Sequence, residues 1–324
     1  MPNVPIPGWG NGEGEWGGCR LVPRLRAADH THMTLKIPPM RGRAPREGSP
    51  ARHLGTTGPQ PIRSIARVVA AGRVRDLGLI LSDQARLVLT RRYDAFATDR
   101  AYASSPHGWL GPLGRAADLR VLRLPVHVAL RERIDNVVGA LDALVRVEAR
   151  EADPVRVISA PCGLARDLMA AAVRLGPDVS AAWTGVDVDQ RGDVLPEAVR
   201  RADRAHVPIQ FVRGDVFDPQ LRTQLAARAP FHIVNCIGMT AWIDRAETED
   251  LTSLFRDLLA PGAWLLVDSW REAADGELGR ALHLPANYYE GDDFAAILER
   301  RGFSVEARRS TSGGVNTLWI ARRR

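Results

Sequence analysis

The chain is nearly without lysine: of 44 lysine and arginine residues, only Lys36 is lysine. With abundant alanine, glycine and proline, that skew reads as the mark of a GC-rich genome rather than of a phosphate-binding surface. Cysteine is also scarce. Cys19, Cys162 and Cys236 are odd in number and widely spaced, which builds neither a disulfide framework nor a metal site. No stretch approaches the roughly 20 apolar residues that a bilayer span requires. No basic segment leads into an apolar run at the N-terminus, so a secretory signal is not expected and a cytoplasmic location is. Aromatic residues make up 6% of the chain, and no internal repeat is visible.

The net charge of +6 invites a nucleic-acid reading, but the arginines are interleaved with acids, as in Glu197, Arg200, Arg201, Asp203 and Arg204. Interleaved charge makes a solvated surface, which argues against a nucleic-acid partner. Three parts follow from composition and periodicity. Residues 1–60 hold 10 Gly and 9 Pro with almost no periodicity, which predicts a disordered head, with Met33 and Met40 as alternative starts. Residues 61–150 predict helices. Leu130, Ile134, Val137, Leu141, Leu144 and Val145 recur at three and four and form one long amphipathic helix. Between the helices lies segment 90–115, which carries Tyr93, Phe96, Tyr102, His107 and Trp109. Residues 151–324 form the remaining domain.

That domain opens with the most informative segment. Val155, Val157 and Ile158 predict a strand, Pro161-Cys162-Gly163 a turn, and Leu164 to Leu175 a helix. Trp183 to Val186 predict a second strand with Asp187 at its tip. This order builds a nucleoside pocket at the carboxyl edge of a parallel sheet, where a carboxylate can accept both ribose hydroxyls. The turn has one glycine, and Pro161 removes an amide donor. It is therefore a poor pyrophosphate cradle, and a nicotinamide dinucleotide is a poor fit. A second acid, Asp215, follows the strand predicted at 208–213 and lies one strand-helix-strand period beyond Asp187. There it suits an adenine amine, and Phe217 could lie on the base face.

On these residues the chain resembles the class I S-adenosylmethionine-dependent methyltransferases of the small-molecule type. ISAPCGLARDL resembles the first motif, WTGVDVD the second and VRGDVFD the third. The likeness continues through FHIVNCIGMTAWID and LLAPGAWLLVDSW to a terminal hairpin, Phe303–Arg308 then Asn316–Ala321. It implies an α/β fold: a doubly wound, mostly parallel seven-stranded sheet with a terminal antiparallel hairpin and an N-terminal helical cap. It also implies S-adenosyl-L-methionine as cofactor, held by Ser159, Ala160, Gly163, Asp167, Asp187, Val188, Asp215, Val216 and Asn235. The first motif departs from the usual form. Ser159 stands where an acid often meets the methionine ammonium, and Asp167 or Asn235 is left to take that contact.

The acceptor side is less legible. A base would help a phenol or carboxylate acceptor. His107, in a loop, and Asn235, at the end of the fourth strand, are the catalytic candidates. His127 and His283 are weaker ones, and His232 inside a strand reads as structural. Asn235-Cys236-Ile237-Gly238 lacks the prolines and aromatic residue of the base-methylating relatives. Tyr93, Tyr102, Trp109, Trp242, Tyr288 and Tyr289 are the candidate substrate contacts, and they favour a flat or apolar small molecule. No acid or histidine pair has metal-ligand spacing near these loops. The expectation is methyl transfer to a small organic acceptor, a secondary metabolite among the options, with a homodimer left open. The alternatives are a nucleic-acid or protein methyltransferase docking through the basic head, and a non-catalytic partner protein that binds the cofactor.

Overall fold

Short apolar runs alternate with amphipathic helices from residue 155 onward, and each run becomes a strand whose helix folds back across the sheet. In this computed structural model residues 81–91, 93–108, 111–271 and 287–324 are described, all within one unit, Gly42–Arg324. The predicted head (1–60), residues 61–80, Trp109 and His283 lie outside the described residues.

Four helices come first: α1 (Asp83–Arg91), α2 (Ala95–Ala103), α3 (Gly111–Leu122) and α4 (Pro125–Glu148). The main domain then runs β1 (Val155–Ser159), α5 (Arg166–Leu175), β2 (Ala181–Asp187), α6 (Val194–Ala205), β3 (Ile209–Arg213) and α7 (Pro219–Ala226). It continues with β4 (Phe231–Cys236), α8 (Arg245–Leu258), β5 (Leu259–Trp270), α9 (Asp293–Arg300), β6 (Phe303–Ser310) and β7 (Asn316–Arg323). The seven strands form one sheet in the order β3-β2-β1-β4-β5-β7-β6. The first five pair in parallel, and β7 is antiparallel to both β5 and β6. The doubly wound α/β sheet and its terminal hairpin are those expected from the sequence.

Local chemistry sets several boundaries. Pro125 starts α4, where its missing amide costs nothing. A reciprocal capping box between Asp244 and Glu247 starts α8. Pro261-Gly262 lies inside β5, where the register with β4 shifts between Phe231 and Ile233. Phe255, Phe294, Phe303 and Ile243 are fully buried against one sheet face. Burial of each contributes roughly 1.5–3 kcal/mol. Segment 90–115 differs from expectation, because it contains α2. Asp94 caps that helix through the amides of Phe96 and Ala97, each 3.1 Å away. Its alanine-rich sequence hides the helical period.

The first helices are tied together by Asp118 of α3. This buried carboxylate accepts from Ser82 Oγ (2.6 Å) and from the amides of Gln84 (2.8 Å) and His107 (2.9 Å). It also accepts from the Arg100 guanidinium (3.0 Å). Burial alone would raise its pKa, but these donors outweigh burial and lower it. Two groups of ion pairs fasten α1 and α2 to the elements that follow β1. Arg91 of α1 meets Asp193 at 2.9 Å. Asp99 of α2 takes Arg166 at 2.5 Å and Arg201 at 2.8 Å.

Candidate functional site

The carboxyl ends of β1, β2 and β4 bring the predicted cofactor residues together. Register pairs Ser159 with both Gly185 and Asn235, so the three strand ends are level. Asp187 closes β2. Its carboxylate accepts the Gly163 amide on one oxygen and the Asp189 amide on the other, both at 2.9 Å. Burial raises its pKa, and these two amides partly offset the rise. Each oxygen retains a lone pair that can accept from a ligand hydroxyl.

The loop after β1 is tight. Gly163 has φ +50, and a Cβ there would come within 3.3 Å of the Ala95 Cβ in the cap. A left-handed φ together with so tight a neighbour favours glycine here. The Cys162 amide bonds the Val186 carbonyl at 2.8 Å, fixing the loop on β2. Val188, beside Asp187, is an exposed apolar residue, 39% accessible, at the edge where a flat ring could rest. Asp215 follows β3, and its Oδ1 accepts the Phe217 amide at 2.9 Å. Val216 is buried below it. Asp189, which the motif reading passed over, is buried and holds the start of α6 through the amides of Val194 (3.0 Å) and Leu195 (3.2 Å).

At the ends of β1 and β4 lies a buried polar cluster. Asn235 Nδ2 donates to Ser159 Oγ at 3.0 Å and to Asp167 Oδ2 at 2.6 Å. Asp167 also accepts the Leu168 amide, and burial raises its pKa. Asn235 Oδ1 is buried with no hydrogen-bond partner. Ala160 is buried, and its amide bonds the Asn235 carbonyl at 2.9 Å.

The aromatic candidates divide. Tyr93, Tyr102 and Trp242 pack around one apolar cluster with Leu130, Trp270 and Val315, where the cap meets the ends of β4 and β5. Tyr289 belongs to the main core instead. It stands edge-on to Phe294 at 5.0 Å, and its hydroxyl pairs with Thr248 at 2.8 Å. Tyr288 is exposed. Loop position suggested both tyrosines; which one the core takes depends on how the chain enters α9.

The histidines are also distinguished. His107 is exposed, on the loop after α2. His127 is buried, with its Nδ1 at 2.8 Å from the Val121 carbonyl and its Nε2 facing Gln84 and Tyr93. Burial lowers its pKa to about 4, so it is neutral near pH 7. His232 Nδ1 accepts the Arg156 amide at 2.9 Å, a structural role inside β4.

Two residues absent from the motif reading complete the site. Asp268 of β5 is fully buried and accepts the Gly238 amide (2.7 Å), Arg133 (3.0 Å), Trp270 Nε1 (3.0 Å) and Asn316 Nδ2 (2.9 Å). Arg133 of α4 is 4% exposed, lies over the Tyr102 and Trp270 rings and bonds the Tyr102 hydroxyl. A Cβ on Gly238 would meet its guanidinium at 3.2 Å. Among the described residues, no cluster of three His, Cys, Asp or Glu could hold a metal ion. Nor is any helix there long and apolar enough to cross a membrane.

The strand order, the parallel core and the terminal β6–β7 hairpin define the class I methyltransferase fold. No protein-family model matches the chain, and no curated protein does. Among solved structures, a possible exported protein from Bordetella parapertussis is similar with a TM-score of 0.62 and 23% identity. The match covers 81% of this chain and 94% of that one. Magnesium protoporphyrin IX methyltransferase from Synechocystis PCC 6803, solved with bound SAH, gives a TM-score of 0.48 at 16% identity, over 72% and 96% of the two chains. An O-methyltransferase family protein from Burkholderia thailandensis gives 0.42 at 17%, over 64% and 62%.

Proposed function

We propose that the protein transfers a methyl group from S-adenosylmethionine to a small organic acceptor. The observation that carries this reading is the row of acids at the carboxyl edge. Asp187 stands at the end of β2 and Asp215 just past β3, with the single-glycine loop beside them. The donor set fits a phosphate-free nucleoside: two carboxylates for hydroxyl and amine hydrogens, an apolar Val188 edge, and no multi-glycine cradle for a pyrophosphate.

When bound, the cofactor supplies an electrophilic methyl on a sulfonium. Asp187 would accept from the ribose hydroxyls and Asp215 from the adenine amine. Tyr93, Tyr102 and Trp242 would line the acceptor pocket and keep water out, since methyl transfer depends chiefly on in-line placement and dryness. Asn235, bonded to Ser159 and Asp167, belongs on this reading with the cofactor rather than with the acceptor's proton. His107 would serve as base only if the acceptor reaches its exposed loop. Residues 81–148 act as the cap, and 151–324 as the cofactor domain.

Calorimetric titration of the full chain with S-adenosylhomocysteine, with NAD as control, tests the reading. One-to-one binding of the first and none of the second is expected. Binding of NAD alone would overturn it.

A further inference from the structure

Arginine has no lone pair to offer, so the bond between Arg133 and Tyr102 runs one way: the guanidinium donates and the phenol oxygen accepts. The phenol's own hydrogen is therefore aimed elsewhere, and among the described residues nothing accepts it. Burial keeps that phenol protonated, raising its pKa over the opposing pull of Arg133. The neighbouring polar hydrogens are spent. Trp270 Nε1 and Asn316 Nδ2 go to the Asp268 carboxylate, at 3.0 and 2.9 Å, and Thr240 Oγ1 goes to the Asp268 carbonyl at 2.6 Å. The same carboxylate takes the Gly238 amide and one Arg133 nitrogen, so four donors share its charge. Arg133 is left with a buried Nε that has no partner, a costly state for a charged group. This end of the aromatic cluster thus holds two unspent donors, one of them on a cation, beside the rings of Tyr102 and Trp270.

Resting on the methyl-transfer reading above, we propose that Tyr102 donates its hydroxyl hydrogen to a carboxylate on a flat methyl acceptor, with Arg133 as the positioning residue behind it. The substrate class is then an aromatic acid, anchored by its carboxylate against the cap. Arg133 holds the phenol oxygen, which fixes the hydroxyl and makes its hydrogen a stronger donor. An amine or ammonium in the same place would bring a donor to donors, and an ammonium would also meet the Arg133 charge. The two acids within range of Tyr102 are accounted for. Asp268 is compensated by Arg133 itself, and Asp167 would face the cofactor's ammonium. Tyr102 lies on α2 and Arg133 on α4, whereas their counter-charge Asp268 belongs to β5. The choice of substrate thus rests on residues outside the cofactor motifs.

The test uses benzoate, salicylate and naphthoate, each against its primary amide, titrated by calorimetry into the full chain saturated with S-adenosylhomocysteine. Melting temperature serves as a fold check. At least one acid should bind the wild type about tenfold or more tightly than its amide, the scale of one charge-assisted contact. Tyr102→Phe keeps the ring and removes the hydrogen, so it should abolish most of that preference while leaving S-adenosylhomocysteine affinity unchanged. Arg133→Lys, which keeps the charge but loosens the hold on the phenol, should retain part of the preference and covers the case in which Tyr102→Phe does not fold. Equal binding of acids and amides by the wild type, failure of every acid to bind, or a full preference in Tyr102→Phe would overturn the assignment. Failure of S-adenosylhomocysteine to bind the wild type would instead overturn the cofactor reading on which the assignment rests.

Discussion

Replacing Asp187 with Asn tests the ribose end most directly, because it changes one atom and preserves shape. The native carboxylate accepts two amides, from Gly163 and Asp189, one on each oxygen. An Asn side chain offers one oxygen and one NH2 group, so one amide must face a donor. Hydrogen bonds to a charged group contribute about 1.5–3 kcal/mol, and a lost one in a half-buried loop costs stability at the lower end of that range. Ribose hydroxyls would lose the same charge-assisted acceptor, so S-adenosylhomocysteine affinity should fall by about 1–3 kcal/mol, roughly 5- to 150-fold. Calorimetry reads the affinity and thermal unfolding reads the loop. A lowered melting temperature with unchanged affinity would show that Asp187 only fastens the Gly163 loop and that the ribose lies elsewhere.

Other substitutions separate structural from functional roles. Asp268→Asn leaves the buried Arg133 without its counter-charge, so unfolding in denaturant should show a loss of about 3–5 kcal/mol. An unchanged midpoint would mean that Tyr102 and the rings suffice for the guanidinium. Tyr289→Phe removes only the Thr248 bond and should cost about 1 kcal/mol of stability without changing acceptor KM, whereas Trp242→Ala should raise that KM. The opposite pattern would return Tyr289 to the substrate. His127 gives a pH signature. Its folded pKa, about 4, lies below the unfolded value near 6.5, so the unfolded chain takes up its proton first as pH falls. Its contribution is present above pH 6.5 and is lost between about pH 6.5 and 4, by roughly 3 kcal/mol in full. His127→Gln should flatten that part of the stability profile, and an unaltered slope would refute the assignment.

The sheet was legible because its strands are short apolar runs bounded by turn residues. The starts of β1, β6 and β7 at Val155, Phe303 and Asn316 agree with the sequence reading to the residue. Its tip acids were legible because the spacing from Asp187 to Asp215 is one structural period. The cap was harder. α2 is set by one capping side chain, Asp94, and by tertiary contact, not by an apolar stripe. Arg133 was passed over because arginine in an amphipathic helix usually faces water. The signal was nevertheless there: position 133 lies three after Leu130 and four before Val137, on the apolar seam. Asp268 carried a similar mark, a lone acid within the apolar run LLVDSW. A charge at a core position needs a partner, and two such charges far apart in sequence are candidates for each other.

The cap ion pairs bear on the pace of turnover. Ala95 lies against Gly163, whose amide bonds Asp187, and Tyr102 of the same helix reaches the aromatic cluster around Trp270. One short helix thus borders both the Gly163 loop and the aromatic cluster. On the proposed function, cofactor and acceptor would both lie against α2, so lifting of that helix would gate their release. The fastenings at Asp99 and Arg91 are partly solvent-exposed, so dissolved salt weakens them without touching the buried chemistry. Higher ionic strength would then, on the proposed function, quicken release and leave the chemical step unchanged.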